Sequence, residues 1–512
     1  MIPFNAILAG SVVPEAPEPD ECPVSEARYH RTALPGALPG RPPVYTSRKG
    51  RPACANSDGR ENPLYHLLLT VWHTDRRTIA FTRGTGTGFS ITGIIMPLIT
   101  RIALITLIIV AAESPAGAEE FALRDGDTFV FLGDSITAAR AYGKLIENYT
   151  LLRFPERKIR FINAGRGGDT AAGGLARLDA DVFAHRATVL TVAYGVNDIG
   201  WGLKADDEHK QTYLHAIRGI VERCKAQNVR VFICSAAVTG ADPGKSERDF
   251  LQTMCDEGMA LSRELGAGAI DVQRTMRAIQ RRIWKFNEGI ADSAKKESLH
   301  AADGVHLNDL GQLAMGYAIL KGLGAPAEVS SATIDAAVPK ATASAACQIT
   351  NVKNSAGTVE FDRLDERLPL NQGPLWGLQF RFVPIPDELN RYLVTVQNLA
   401  PGKYELLADG RGLGTFGDDQ LSKGLNISSA TADGWIPGGP WDAQATVLKR
   451  LTDARDELAV SQLFERAFDA QNPAGQTQGA SAKAINEQLE ELQRATARPR
   501  RYHFVIRPAT AK

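Results

Sequence analysis

Excess charge is missing from this 512-residue chain, in which 58 Lys and Arg stand against 58 Asp and Glu. That balance excludes a broad one-signed field of the kind that draws nucleic acid or an anionic surface, so no nucleic-acid partner is expected. Cysteine is scarce as well: six occur, at 22, 54, 224, 234, 255 and 347, with no Cys-x-x-Cys spacing. Nothing in that distribution resembles a zinc site, no metal is expected, and unpaired buried thiols are as compatible with it as disulfides. Long apolar runs are few. The clearest, an apolar core at 102–112, falls short of the roughly 20 residues that span a bilayer.

The first 95 residues differ in composition from the rest. They carry Pro- and Gly-rich stretches such as "VVPEAPEPDECP" and "TALPGALPGRPP" and read as a mis-assigned or disordered extension. Met96 then opens "MPLITRIALITLIIVAAESPAGAEE", where one basic residue, an apolar core and the small residues Ala116-Gly117-Ala118 follow in order. This is the layout of a secretory signal, residues 96–118, and it makes the mature protein periplasmic or secreted, with no stable membrane insertion after cleavage. If the segment is retained, residues 89–112 form a membrane anchor instead.

From Thr128 onward, apolar runs alternate with helical patterns. Strands are expected at 128–132, 159–164, 188–194, 229–236 and 268–272, separated by amphipathic stretches such as 212–226 and 247–265. Near-continuous apolar strands joined by helices predict a parallel sheet covered on both faces, in a domain over 119–325 that ends with the helix at 308–324. The Ala-, Ser- and Pro-rich stretch 326–346 reads as a linker. A small β-rich module follows at 347–435, with strands in "TVEFDRL", "WGLQFRFVP", "RYLVTVQNL" and "KYELLADGRGLGTF" and a hairpin turn at Asp409-Gly410. The tail, 436–512, reads as helical, with Val447, Leu448, Leu451, Ala454 and Leu458 on one face and Ile485, Leu489 and Leu492 on another, two stripes that paired helices would bury.

Four short features stand in chain order within the α/β part: "GDS" at 133–135, "NAGRGGDT" at 163–170, "GVND" at 195–198 and "DGVH" at 303–306. Each of the first three follows a predicted strand and the fourth precedes the last helix, so all four can converge at one sheet edge. A serine hydroxyl is a poor nucleophile at neutral pH and needs a base, for which His306 serves; Asp303 is placed to fix the imidazole tautomer and stabilise the imidazolium. The oxyanion formed on attack needs donors, and the backbone N–H groups of Ser135 and Gly168 with the Asn197 amide are the candidates. Singly, each feature is an ordinary turn or helix cap. Jointly they read as a catalytic site.

The four blocks resemble the SGNH hydrolases, also called GDSL-type esterases and lipases, over about residues 127–324. The resemblance implies a flavodoxin-like α/β/α sandwich, the SGNH hydrolase fold, followed here by the β-rich module and C-terminal helices. It implies ester hydrolysis through an acyl-enzyme without cofactor, with Ser135 as nucleophile, Asp303 and His306 completing the triad, and Gly168 and Asn197 in the oxyanion hole. Gly167, adjacent to Gly168, is the alternative glycine. The first block reads G-D-S-I-T, a variant that resembles the esterase branch acting on small acyl groups. A small-molecule or polysaccharide ester is therefore the expected substrate, with a carbohydrate O-acetylesterase the leading reading, and a lipase or lysophospholipase, or a glycan-binding protein on an inactive fold, the alternatives. Trp201 either lines the substrate pocket or packs in the core. Asp134 and Asp198 are expected to hold loop backbone, Asp169 and Thr170 to orient the glycine loop or cap a helix, and His300 has no assigned role.

Overall fold

The computed structural model describes residues 121–510 apart from 374, 437 and 470–472; the extension and the signal segment read at 1–118 lie outside the described residues. Five strands, β1 (Thr128–Gly133), β2 (Arg160–Gly165), β3 (Val189–Ala193), β4 (Arg230–Cys234) and β5 (Gly268–Ile270), form an all-parallel sheet in the order β2-β1-β3-β4-β5. The order reverses beside β1, the strand that ends in Gly133-Asp134-Ser135. Open α/β sheets place ligands at that switch point.

The crossover helices follow the predicted segments. Short α1 (Ser135–Ala138) and α2 (Ala141–Arg153) follow β1, α3 (Ala171–Ala176) follows β2, α4 (Asp207–Ala226) follows β3, and α5 (Phe250–Glu264) follows β4; α6 (Val272–Asn287) follows β5, and α7 (Asp309–Gly322) closes the domain. Within β1 the side chains alternate although every residue is apolar or buried. Phe129 and Phe131 join a core with α2, α6 and α7, whereas Val130 and Leu132 join a second core with α4 and α5. This two-sided burial explains why the strands read as continuous apolar runs rather than alternating ones.

The stretch 326–346, expected to be a linker, is structured. It forms β6 (Glu328–Asp335) and β7 (Lys340–Ala345), with Val329, Ala332 and Ile334 buried along β6. Ala and Ser are weak strand formers, so composition pointed to a linker; partners distant in sequence decide the conformation instead. β6 pairs in parallel with β10 (Arg391–Gln397) inside the sheet β13-β10-β6-β7, where β13 is Leu425–Asn426.

A third, antiparallel sheet runs β12-β11-β14-β9-β8, from β8 (Cys347–Ser355), β9 (Thr358–Asp365), β11 (Lys403–Ala408), β12 (Arg411–Gly417) and β14 (Arg501–Pro508). Asp409 and Gly410 both have left-handed φ, 48° and 76°, as the expected hairpin turn requires. Two corrections apply here. β14 lies between β11 and β9, so the β module does not close at 435, and the tail holds a strand whose partners lie about 100 and about 140 residues earlier. "WGLQFRFVP" is not a strand: after Leu375 turns the chain with φ 61°, Trp376–Arg381 forms a tight helical turn that buries Trp376.

Helices α8 (Pro440–Asp469) and α9 (Pro473–Ala497) form the expected pair, but only partly through the expected stripes, of which Leu448 is buried. Val447, Ile485 and Leu492 are each about half exposed, while Ala445, Leu448, Thr452, Gln493 and Ala497 are buried. The face turned inward is partly polar because it meets charged positions of α2. There Lys144 pairs with Asp453 at 2.9 Å and the buried Glu147 with Arg455 and Gln493, while Arg140, at the helix entry, pairs with Asp456. Cys224, Cys234, Cys255 and Cys347 are buried free thiols.

Candidate active site

The strand-to-helix turn after β1 exposes Ser135. Asp134 caps α1 by accepting from the Ile136 N–H at 2.9 Å, and Ser135 is the first helical residue, so its own N–H has no intrahelical acceptor. Close backbone approach requires two glycines here. A Cβ on Gly133 would lie 2.1 Å from Thr137 Oγ1 and 2.8 Å from the Ala193 carbonyl, and one on Gly165 would lie 2.2 Å from the Ala138 nitrogen. Strands β1 and β2 therefore end in glycine because the neighbouring atoms leave no room for anything larger.

His306 reaches the serine from the far end of the domain. Its Nε2 lies 2.9 Å from Ser135 Oγ and its Nδ1 lies 2.6 Å from Asp303 Oδ2. Asp303 Oδ1 also accepts from the Val305 and His306 backbone N–H groups, each at 2.9 Å. These N–H groups, led by that of Val305, and the imidazole hold the Asp303 carboxyl down at about 2. Nδ1 thus donates to a carboxylate, which leaves Nε2 free to accept from the serine hydroxyl. The loop is itself anchored: the Ala301 N–H donates to the His306 carbonyl at 2.8 Å, the Gly240 N–H to the Gly304 carbonyl at 2.8 Å, and His300 Nε2–H to the Val238 carbonyl at 2.7 Å. Burial lowers the His300 pKa, so this histidine is a neutral brace.

The third and second blocks are stitched together. One Asn197 Nδ2–H donates to the Asp169 carbonyl at 3.0 Å, which leaves the other N–H of that amide for an acceptor in the site. Gly168 has φ 71°, and both Gly168 and Gly167 have open space where a Cβ would stand. Asp198 holds the first N–H of α3, that of Ala171, at 2.9 Å, and Thr170 caps the same helix through the Gly173 N–H. Burial pushes the carboxyls of Asp134 and Asp198 up to about 6.

Three contributors were not legible in sequence. Arg177 is buried and donates to Asp169, to Asp181 and to the Gly133 carbonyl, and the Tyr194 hydroxyl donates to Asp169 at 2.9 Å. This web resolves the open question on Asp169, whose side chain fixes the glycine loop. Gln312 on α7 accepts from the Tyr142 N–H and donates to the Ile136 carbonyl, which ties the histidine side of the site to the nucleophile turn. Such residues carry no motif; only the fold brings them together. Trp201 is 49% exposed beside His306, with ring centroids 5.5 Å apart, and is not core packing. Among the described residues no group of His, Cys, Asp and Glu could hold a metal ion.

A serine, a histidine and an aspartate in a hydrogen-bonded row at the switch point of a parallel sheet define a serine hydrolase domain. Residues 131–314, most of the α/β domain, match the GDSL-like Lipase/Acylhydrolase family, and the protein is a serine ester hydrolase. A solved structure described as BT4096, a gut microbial diltiazem-metabolizing enzyme, is 23% identical with a TM-score of 0.65, covering 77% of this chain and 100% of that one. That share is larger than the α/β domain, so the likeness in fold includes residues C-terminal to it. The acetylxylan esterase Axe2 from Geobacillus stearothermophilus is 20% identical (TM-score 0.33, 40% of this chain and 96% of that one), and the acetyl xylan esterase AlAXEase is 21% identical (0.34, 38% and 98%). No curated protein matches the chain.

Proposed function

We propose that the protein is an exported serine esterase that removes acetyl or another short acyl group from a carbohydrate. The observation that carries the catalytic part is the row Ser135 Oγ, His306 Nε2, His306 Nδ1, Asp303 Oδ2, whose separations of 2.9 and 2.6 Å suit general-base attack.

Ser135 Oγ attacks the ester carbonyl carbon and its proton passes to His306 Nε2, while Asp303 stabilises the imidazolium. The negative charge on the carbonyl oxygen is met by the Ser135 N–H, the Gly168 N–H and the remaining Asn197 Nδ2–H. On collapse the alcohol leaves with the proton from His306, and the acyl group stays on Ser135. Water, losing its proton to the same imidazole, then attacks the acyl-enzyme, and collapse returns Ser135 and the free acid.

An open site supports a bulky polar alcohol. The side chains of His306 and Asp303 are 39% and 37% exposed, and the half-exposed indole of Trp201 offers a flat surface of the kind that sugars stack on. Export rests on the signal-like pattern at 96–118. A lipase or lysophospholipase is the second reading, favoured by Leu203, 93% exposed two residues beyond Trp201. Fluorophosphonate labelling and hydrolysis of short- and long-chain nitrophenyl esters separate these readings, with Ser135→Ala as control. Labelling and short-chain turnover that vanish in the variant support the esterase, a long-chain preference transfers the assignment to lipids, and a folded protein that neither labels nor turns over ends it.

A further inference from the structure

We infer that Trp201 is a positioning residue that sets the orientation of the Asn197 amide and braces His306, linking the oxyanion donor to the general base. This rests on the esterase reading and adds to it a residue that acts through two others. Three independent observations converge on the indole.

The first is a hydrogen bond. Trp201 Nε1–H donates to Asn197 Oδ1 at 2.9 Å, while one Asn197 Nδ2–H donates to the Asp169 carbonyl at 3.0 Å. A primary amide offers two donors on one end and an acceptor on the other. With its oxygen held by the indole and one N–H held by Asp169, the amide cannot flip without breaking both bonds, and one N–H is left to point elsewhere. Without the indole only the Asp169 contact remains, and the amide gains rotational freedom about that single bond.

The second is backbone strain. Gly200, Trp201 and Gly202 have φ of 51°, 58° and 94°, three consecutive left-handed residues. Glycine adopts this region freely, but for a tryptophan, with its Cβ, it is unfavourable. The Trp201 N–H donating to the Val196 carbonyl at 2.9 Å and the Lys204 N–H donating to the Ile199 carbonyl at 3.0 Å close the turn around it. Such a conformation persists only where its surroundings over-determine it, and here it turns the indole back onto the residue four positions earlier.

The third is the ring contact. The indole and the His306 imidazole meet edge-on, at 5.5 Å between centroids and 69° between planes. The same side chain thus restrains the oxyanion amide through its N–H and the base through its ring. Burial is not its reason for being there, because nearly half of its surface stays in solvent.

The test replaces the donor and keeps the shape. Trp201 is exchanged for its sulfur isostere benzothienylalanine and, separately, for Phe; kcat and KM are measured on a short-chain nitrophenyl ester, and both changes are repeated in Asn197→Ala. Loss of an oriented oxyanion donor lowers turnover by about 10²- to 10³-fold, so loosening it through Trp201 is expected to lower kcat roughly tenfold or more while KM moves less than about twofold. In Asn197→Ala the isostere has nothing to orient and changes kcat less than about twofold. Equal effects in both backgrounds, or a change confined to KM, would overturn the inference and make Trp201 a wall of the substrate site. A thermal midpoint unchanged in the isostere separates positioning from unfolding. Wild-type turnover that survives Ser135→Ala removes the esterase reading and this inference with it, whereas an additive cycle in an active enzyme removes this inference alone.

Discussion

Replacing Asp303 by Asn tests the direction of the proton relay rather than its mere presence. Asp303 Oδ1 accepts from the Val305 and His306 backbone N–H groups, and an amide oxygen at that position keeps both bonds, so the turn survives. Oδ2, 2.6 Å from His306 Nδ1, becomes an NH2 group that can only donate. The imidazole must then accept at Nδ1 and carry its proton on Nε2, facing a serine hydroxyl 2.9 Å away that it can no longer deprotonate. The corresponding change in a Ser-His-Asp protease lowers turnover about 10⁴-fold, or about 5 kcal/mol of barrier. We expect a loss of about 10³- to 10⁴-fold in kcat and in the rate of fluorophosphonate labelling, with a thermal midpoint near that of the wild type. Asp303→Ala forces no tautomer on the imidazole and is expected to be no more damaging. An Asp303→Asn enzyme that folds normally and keeps more than about a tenth of wild-type kcat would refute the tautomer argument.

Asp134 is buried, and its folded pKa of about 6 lies above its ordinary 3.8, so the native state binds more protons than the unfolded chain between those values and stability falls as pH rises through that window, by up to about 3 kcal/mol. Asp134→Asn keeps the capping oxygen and cannot ionise; in urea unfolding it should exceed wild type above pH 6 and lose that advantage below pH 4, and a pH-independent difference would contradict this. Arg455→Met should destabilise by about 3–5 kcal/mol because it strands the buried Glu147 carboxyl, and Glu147→Gln in the same chain should recover most of the loss. If the double variant is no better than the single one, the ion pair is not the reason. Gly165→Ala should unfold the protein several degrees lower, given a Cβ 2.2 Å from backbone, whereas Gly167→Ala, with nothing within 4 Å, should leave the thermal midpoint unchanged.

The α/β domain was legible because its signals are local. Each predicted strand was found within about two residues, and each catalytic candidate sits at a strand end or in a helix-leading loop, where side-chain type and spacing carry the chemistry. The C-terminal half resisted because its conformations are set by distant partners. Ala- and Ser-rich β6 is a strand on account of β10, sixty residues later, and β14 is a strand on account of β9 and β11. The helical pair misled for a related reason. Apolar spacing selected Leu448, which is buried, but also Val447, Ile485 and Leu492, which are half exposed, because the inward face of α8 and α9 meets Arg140, at the entry to α2, with Lys144 and Glu147 on it, and is partly polar to match them.

That match assigns the C-terminal hairpin a mechanical relation to the chemistry. Helix α2 begins six residues after Ser135, its entry residue Arg140 sits at φ 68°, and Arg140 is held there by Asp456 of α8. Gln312 reaches the same turn from the histidine side, accepting from the Tyr142 N–H at 3.1 Å and donating to the Ile136 carbonyl at 3.3 Å. The nucleophile turn is thus gripped from two directions, by the helix that follows the base and by a helix some three hundred residues away. A catalytic serine must hold its hydroxyl within a fraction of an ångström of the imidazole, and a four-residue helix such as α1 is too short to do so by its own hydrogen bonds. The residues beyond 325 therefore complete the support of the site, which is reason to assay the hydrolase with them in place.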